Sequence, residues 1–246
     1  MSSPSPRSGV TAPASVPPPE AVPAPPAEGV PEPPAEAAQV FGSALPQAIE
    51  FASLLATDGV ERGLLGPREV PRLWERHLLN CAVVAELVPD GAEVVDVGSG
   101  AGLPGLVLAL LRPADRMTLL EPMLRRTTFL EECVERLDLP HVTIRRGRAE
   151  ELAGTIRADV ATSRAVAPLD RLVPLSVGVI RPGGTVLAIK GRDAAAELER
   201  AEPVLRRLGV RSADVVQAGQ GIVEPPATVV RILTGETGRR RPRRKR

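Results

Sequence analysis

The chain has 246 residues, a net charge of +1 at pH 7, 43% hydrophobic residues and only 2% aromatic ones. With the ends set aside, roughly 200 residues remain for one sizeable α/β domain, and with three Phe, one Trp and no Tyr its core has to be built of Leu, Val, Ile and Ala. Cys81 and Cys133 have neither metal nor redox spacing, and no stretch reads as a signal peptide or bilayer span, so the composition argues against a metal centre, a disulfide scaffold and a membrane protein, and for the cytoplasm.

In chain order, Met1 to about Gln39 is rich in Pro, Ala, Ser and Glu, with clusters such as Pro17-Pro18-Pro19. It buries too little apolar surface to offset its ordering entropy and is expected to be disordered or polyproline-like over 1–39. The folded part is expected over 40–236, helical over 40–90 and α/β over 91–236. Pro46–Thr57 and Arg68–Leu87 read as helices; in the second, Leu73, His77 and Cys81 lie one turn apart on one face. Glu93 to Gly105, EVVDVGSGAGLPG, begins with the β-branched run of a buried parallel strand and continues into a glycine loop. A helix from Pro104 to about Leu111, a strand ending at Glu121 and a helix from Leu124 to Leu137 come next. Strands follow at Val142–Arg145 and Ala158–Thr162, then a helix over Asp170–Ile180, broken by Arg181-Pro182-Gly183-Gly184. A strand over Thr185–Ile189 ends at Lys190-Gly191. A helix over Asp193–Leu208 and strands near Ala213–Gln217 and Thr228–Leu233 complete the pattern. Arg239–Arg246, within a tail spanning 237–246, carries seven positive charges and leaves a net of about −6 on the remainder. It is either a non-specific phosphate-binding arm or a solvated tail.

The strand, glycine loop and helix open a nucleotide-cofactor site in an open α/β sheet. A dinucleotide fingerprint needs G-x-G-x-x-G, but Gly98, Gly100 and Gly102 alternate and Leu103 occupies the third-glycine slot. Asp96 stands two residues upstream of Gly98, where a carboxylate would repel a pyrophosphate. S-adenosylmethionine has no phosphate and carries an ammonium group that such an acid attracts. Glu121, at the end of the second strand and roughly 20 residues past the glycines, is placed to accept both ribose hydroxyls.

Four separated motifs then resemble one family: DVGSGAGLPGL (Asp96–Leu106), WERHLLNC (Trp74–Cys81), SRAVAPL (Ser163–Leu169) and AIKG (Ala188–Gly191). Together they look like RsmG, also called GidB, which methylates a guanosine N7 in the 530 loop of 16S ribosomal RNA. The resemblance covers roughly Phe41 to Gly235; Asn80-Cys81 stands where the family commonly has Asp-Ser. It implies a class I S-adenosylmethionine-dependent methyltransferase: a Rossmann-like α/β fold with a seven-stranded sheet, the last strand antiparallel, and a short helical N-terminal region. It also implies site roles. Gly98 and Leu103 would line the methionine and adenosine side, Glu121 would hold the ribose, and Ala149 and Glu150 would contact the adenine edge. Arg164 would sit over the cofactor and the entering base.

Guanine N7 carries a free lone pair at neutral pH, so no catalytic acid–base pair is expected, and Arg164 and His77 are positioning candidates. Each has a second reading, Arg164 as a structural ion pair and His77 as a packing residue. RNA recognition has the least support in the sequence, because no aromatic strip is present for base stacking. Candidate phosphate contacts are Arg125, Arg126 and Arg192, with Arg72, Arg76, Arg145 and Arg146; Lys190 contacts either RNA or a neighbouring carboxylate. The expected partner is 16S rRNA, within a small-subunit ribosomal particle. Two other readings are a methyltransferase of the same fold acting on a small molecule or protein, and a dinucleotide-binding module, which Asp96 and Leu103 disfavour.

Overall fold

The computed structural model describes residues 29–236. Most of the Pro-rich leader and the whole basic tail lie outside the described residues. Part of the expected leader is ordered: helix α1 spans Ala35–Phe41 and buries Ala37 and Phe41. The Glu-Ala-Ala-Gln run there favours helix, unlike the prolines before it. Phe41 packs edge-on against Trp74, whose indole N–H donates to the Pro31 carbonyl at 2.8 Å.

Seven strands form one sheet in the order β3-β2-β1-β4-β5-β7-β6. They are β1 (Glu93–Val97), β2 (Arg116–Glu121), β3 (Val142–Arg146), β4 (Ala158–Arg164), β5 (Ile180–Ile189), β6 (Val210–Ala218) and β7 (Ala227–Thr234). The first five are mutually parallel, and β7, last in the chain, is antiparallel to both its neighbours. The central strands are covered on both faces, which is why they read as unbroken apolar runs. The pleat splits β1: Val94 joins the core shared with the N-terminal helices, α4 (Gly105–Leu111) and α5 (Leu124–Arg136), while Val95 and Val97 join the core under α6 (Leu169–Val179) and α7 (Ala194–Leu208). The Arg181–Gly184 segment, expected as a break, is carried inside β5 with an irregularity in its pairing.

The helical N-terminal region is less regular than its sequence predicts. Helix α2 (Leu45–Leu54) ends in a wide π turn over Leu55–Gly59. The second expected helix is a chain of tight 3-10 turns over Pro67–Arg72, wide turns over Leu73–Leu79, a single α turn α3 (Asn80–Ala82) and tight turns over Val83–Leu87. Pro71 lacks the amide hydrogen a regular helix needs there. Leu73, His77 and Cys81 are nevertheless all buried. The helical run Ala35–Gly59 is long and apolar enough to cross a membrane by length and composition, contrary to the sequence expectation; Phe51, Leu54 and Leu55 within it pack into the core.

The chain leaves β1 toward β2 and β3 on one side, then returns to place β4 on the other. This reversal opens a crevice beyond the carboxyl ends of β1 and β4, where ligands bind in such sheets.

Candidate active site

The glycine loop leaves β1 at Val97 and turns sharply enough that Gly98 adopts a φ of +73°. A Cβ on Gly98 would stand 2.9 Å from Val166 Cγ2, so the loop and the segment after β4 touch backbone to side chain. Gly105 serves the packing of the helix instead. A Cβ there would lie 2.3 Å from Leu119 and 2.6 Å from Asp96 Oδ2, so its bareness lets α4 press onto the sheet. In sequence Leu103 occupies the slot of the close-packing glycine; the residue that does the close packing is Gly105, in the Leu-Pro-Gly extension.

The amides of this loop are used within the protein. Gly98 and Ser99 donate to the Leu120 carbonyl at 2.8 and 3.1 Å, and Gly102 and Leu103 donate to the Ser99 carbonyl at 2.7 and 3.2 Å. Gly100 donates to Glu121 Oε2 and Gly105 to Asp96 Oδ2, each at 3.0 Å. A phosphate cradle keeps such donors pointed at its ligand; here two of them end on carboxylates. That arrangement suits a cofactor without phosphate.

Asp96 is fully buried beneath the loop and absent from the cavity wall, so it holds the loop from below. Burial pushes its carboxyl up to about 7, with the Gly105 amide pulling the other way. Its Oδ1 and the Oγ1 of Thr162, its register partner on β4, are buried with no hydrogen-bond partner among the described residues. Glu121, also buried, accepts the Met123 amide at 3.0 Å on Oε1, while Arg126 reaches Oε2 at 3.5 Å.

A cavity of about 490 Å³ lies between these elements, within the range of small-molecule sites. The sequence-predicted residues Gly98, Gly100, Leu103, Glu121, Arg126, Arg164 and His77 all line it. Gly102 is buried behind the wall, against Leu106. Ala149 is buried and Glu150 exposed in the turn after β3, and neither belongs to the lining. Leu64 and Leu65, from the N-terminal region, complete the wall and carry no sequence signal that marks them.

A second cavity of about 710 Å³ adjoins the first and shares Arg164, Ala165 and Val166 with it. Its lining is rich in polar side chains, Arg72, Arg76, Asn80, Lys190 and Arg200 with the acids Glu75 and Glu197. Ala165 has a left-handed φ of 54°, uncommon for a residue with a Cβ, and this places the three-residue partition between the cavities. Lys190 takes its carboxylate reading: Nζ donates to Glu197 Oε2 and to the Ala167 carbonyl, each at 2.8 Å. Arg125 and Arg192 are exposed outside both linings.

Arg164 points from the end of β4 into the N-terminal helical region. Its Nη2 donates to His77 Nδ1 at 2.5 Å and its Nη1 to Cys81 Sγ at 3.3 Å. On the other side of the ring, His77 Nε2 meets Glu69 Oε2 at 2.8 Å. Burial, and then the Arg164 cation, lower the His77 pKa to about 4. Among the described residues no group of three or more His, Cys, Asp and Glu is placed to hold a metal ion.

An open sheet in this strand order, reversed only at its last strand and built around an acid-held glycine loop, defines a class I S-adenosylmethionine-dependent methyltransferase. A solved S-adenosylmethionine-dependent O-methyltransferase from Thermotoga maritima shares the fold, with a TM-score of 0.52 and 16% identity over 71% of this chain and 72% of that one. Sequence relationship narrows the class. Residues 44–224 match the GidB family, rRNA small subunit methyltransferase G. The Ribosomal RNA small subunit methyltransferase G of Thermobifida fusca is 59% identical over 196 residues, 80% of this chain and 83% of that protein. The protein of the same name from Streptomyces avermitilis is 56% identical over 202 residues, 82% and 85% of the two chains. The chain belongs to this family and methylates ribosomal RNA of the small subunit, with S-adenosylmethionine as methyl donor.

Proposed function

We propose that the methyl group goes to N7 of a guanosine in the 530 loop of 16S rRNA, presented in a small-subunit ribosomal particle in the cytoplasm. The observation that carries this reading is the state of His77. It is the imidazole on the cavity wall, and both its nitrogens are engaged, one by Arg164 and one by Glu69. The lining carboxylate, Glu121, is occupied by two backbone amides and an arginine. Neither group on this wall is poised to take a proton from an exocyclic amine or a hydroxyl; of the carboxylates lining the adjoining cavity, Glu197 is held by Lys190 and the Leu169 amide, and Glu75 lies 3.8 Å from Arg72. Guanine N7 needs none, because its lone pair is free at neutral pH, and catalysis reduces to holding the reacting atoms in line.

The bound cofactor supplies an electrophilic methyl group on a sulfonium. The chain's residues fit it: the Gly98–Ala101 backbone and Leu103 give a close wall, and the buried Glu121 oxygens face the cavity where ribose hydroxyls can share them. Ala149 and Glu150, in the turn after β3 and outside the cavity lining, are kept as adenine contacts on the family resemblance alone. Across the Arg164–Val166 partition, the second cavity receives the guanosine, with Arg72, Arg76 and Arg200 for its phosphates. The test is transfer of labelled methyl from S-adenosylmethionine to small subunits from a strain lacking the enzyme, and to the same rRNA stripped of protein. One methyl per particle, at N7 of a 530-loop guanosine, and little on bare rRNA is the expected result. A methyl elsewhere contradicts the nucleotide, and equal labelling of bare rRNA contradicts the particle.

A further inference from the structure

We infer that Glu69, through His77, is a positioning residue that sets the direction of the Arg164 guanidinium on the wall shared by the two cavities. The inference rests on the reading of Arg164 as part of the cofactor wall.

Hydrogen positions link the three side chains. A guanidinium only donates and does not lose its proton in proteins, so the 2.5 Å contact from Arg164 Nη2 makes His77 Nδ1 an acceptor. The neutral ring then carries its single hydrogen on Nε2, which donates to Glu69 Oε2 at 2.8 Å. Glu69 thus fixes the tautomer, and the tautomer fixes Arg164. Without an acceptor at position 69, the ring is free to move its hydrogen to Nδ1, where it would confront the guanidinium N–H and release it. Cys81 Sγ, at 3.3 Å, is a weak acceptor and is insufficient to hold the group alone.

The geometry also has an electrostatic consequence. A carboxylate in direct contact would neutralise Arg164; a neutral imidazole interposed between them orients the cation and leaves its charge available at the partition. Glu69 is further held by Arg76, which donates to Oε1 at 3.2 Å and lines the second cavity. Glu69 itself lies in the tight turns before the wide ones that bring His77 inward. The N-terminal helical region thereby reaches the end of β4 by two side chains.

The test compares Glu69→Gln, which keeps an acceptor for Nε2–H, with Glu69→Met, which keeps volume but has none. The chain has two histidines, so 15N NMR of the imidazoles, assigned with a His141→Gln variant, reports the His77 tautomer directly, and calorimetry with S-adenosylhomocysteine reports the cofactor site. Wild type and Glu69→Gln are expected to show the Nε2–H form and affinities within about twofold of each other. Glu69→Met is expected to show mixed tautomers and affinity weaker by about tenfold, with Glu69→Ala as a second acceptor-free variant should Glu69→Met fail to fold. Wild-type tautomer and affinity in the acceptor-free variant, or equal losses in Glu69→Gln and Glu69→Met, overturn the inference. Arg164→Ala separates the underlying reading: if it binds S-adenosylhomocysteine like wild type, Arg164 is no part of the cofactor wall, whatever the tautomer shows.

Discussion

Glu121 spans the mouth of the glycine loop, accepting the Gly100 amide on one oxygen and the Met123 amide on the other, both at 3.0 Å. One side chain therefore fixes the turn after β1 and the turn after β2, two segments that line the same cavity. Glu121→Gln keeps one acceptor oxygen and Glu121→Ala keeps none. Loss of both acceptors from these part-buried hydrogen bonds is expected to cost about 0.5–1.5 kcal/mol of stability for each and to weaken S-adenosylhomocysteine binding at least about tenfold. Calorimetry and chemical denaturation check it; unchanged affinity in Glu121→Ala would remove Glu121 from the site.

Asp96 gives the fold a pH signature. Its folded pKa of about 7 lies above its unfolded value near 3.8. The folded state therefore holds the proton more tightly, so stability declines as pH rises from about 4 to about 7 and is level beyond. Asp96→Asn, whose amide oxygen can still accept from Gly105, lacks this titration. Relative to wild type it is expected to gain about 4 kcal/mol between pH 4 and pH 8. A pH-independent difference between the two proteins in denaturant titrations would contradict the assignment.

Gly105→Ala tests the packing of α4. Its Cβ would meet Leu119 and Asp96 at 2.3 and 2.6 Å, both fully buried. A loss of at least about 2 kcal/mol is expected, with a lower thermal midpoint. A neutral substitution would mean that α4 sits farther from β2.

The arginines and Lys190 divide by role. Arg125 and Arg192 are exposed at the strand edge that bears the cavities, and each neutral substitution is expected to reduce the salt slope of rRNA binding by about one. Lys190 is committed to Glu197 and Ala167. Lys190→Gln is expected to lower the unfolding midpoint and leave the salt slope unchanged. A reduced slope would return Lys190 to the RNA interface.

The parts of this fold visible in the sequence are those governed by local pattern. Val94 to Val97 reads as a buried strand because parallel strands covered on both faces need unbroken apolar runs, and the acids at Asp96 and Glu121 stand out against them. What three-dimensional packing decides is not legible there. The sequence sets Asp96 beside the glycines, but only the pleat puts it below the loop, opposite Thr162. The N-terminal helix reads as regular, whereas Pro71 and alternating tight and wide turns decide which way His77 faces. Glu69 carries no motif of its own; it becomes meaningful only when those turns bring it 2.8 Å from His77. Residues 35–39 are helical, which the sequence conceals for a simpler reason: composition averaged over 1–39 hides the helix-favouring run that starts at Ala35.

The most direct measurement is chemical mapping of 7-methylguanosine in 16S rRNA from a deletion strain and from the same strain carrying the gene, by borohydride and aniline cleavage. Cleavage at one 530-loop guanosine is expected to be absent in the deletion and restored by the wild-type gene. Cleavage there that persists in the deletion strain would contradict the assignment of the methyl group to that guanosine by this enzyme.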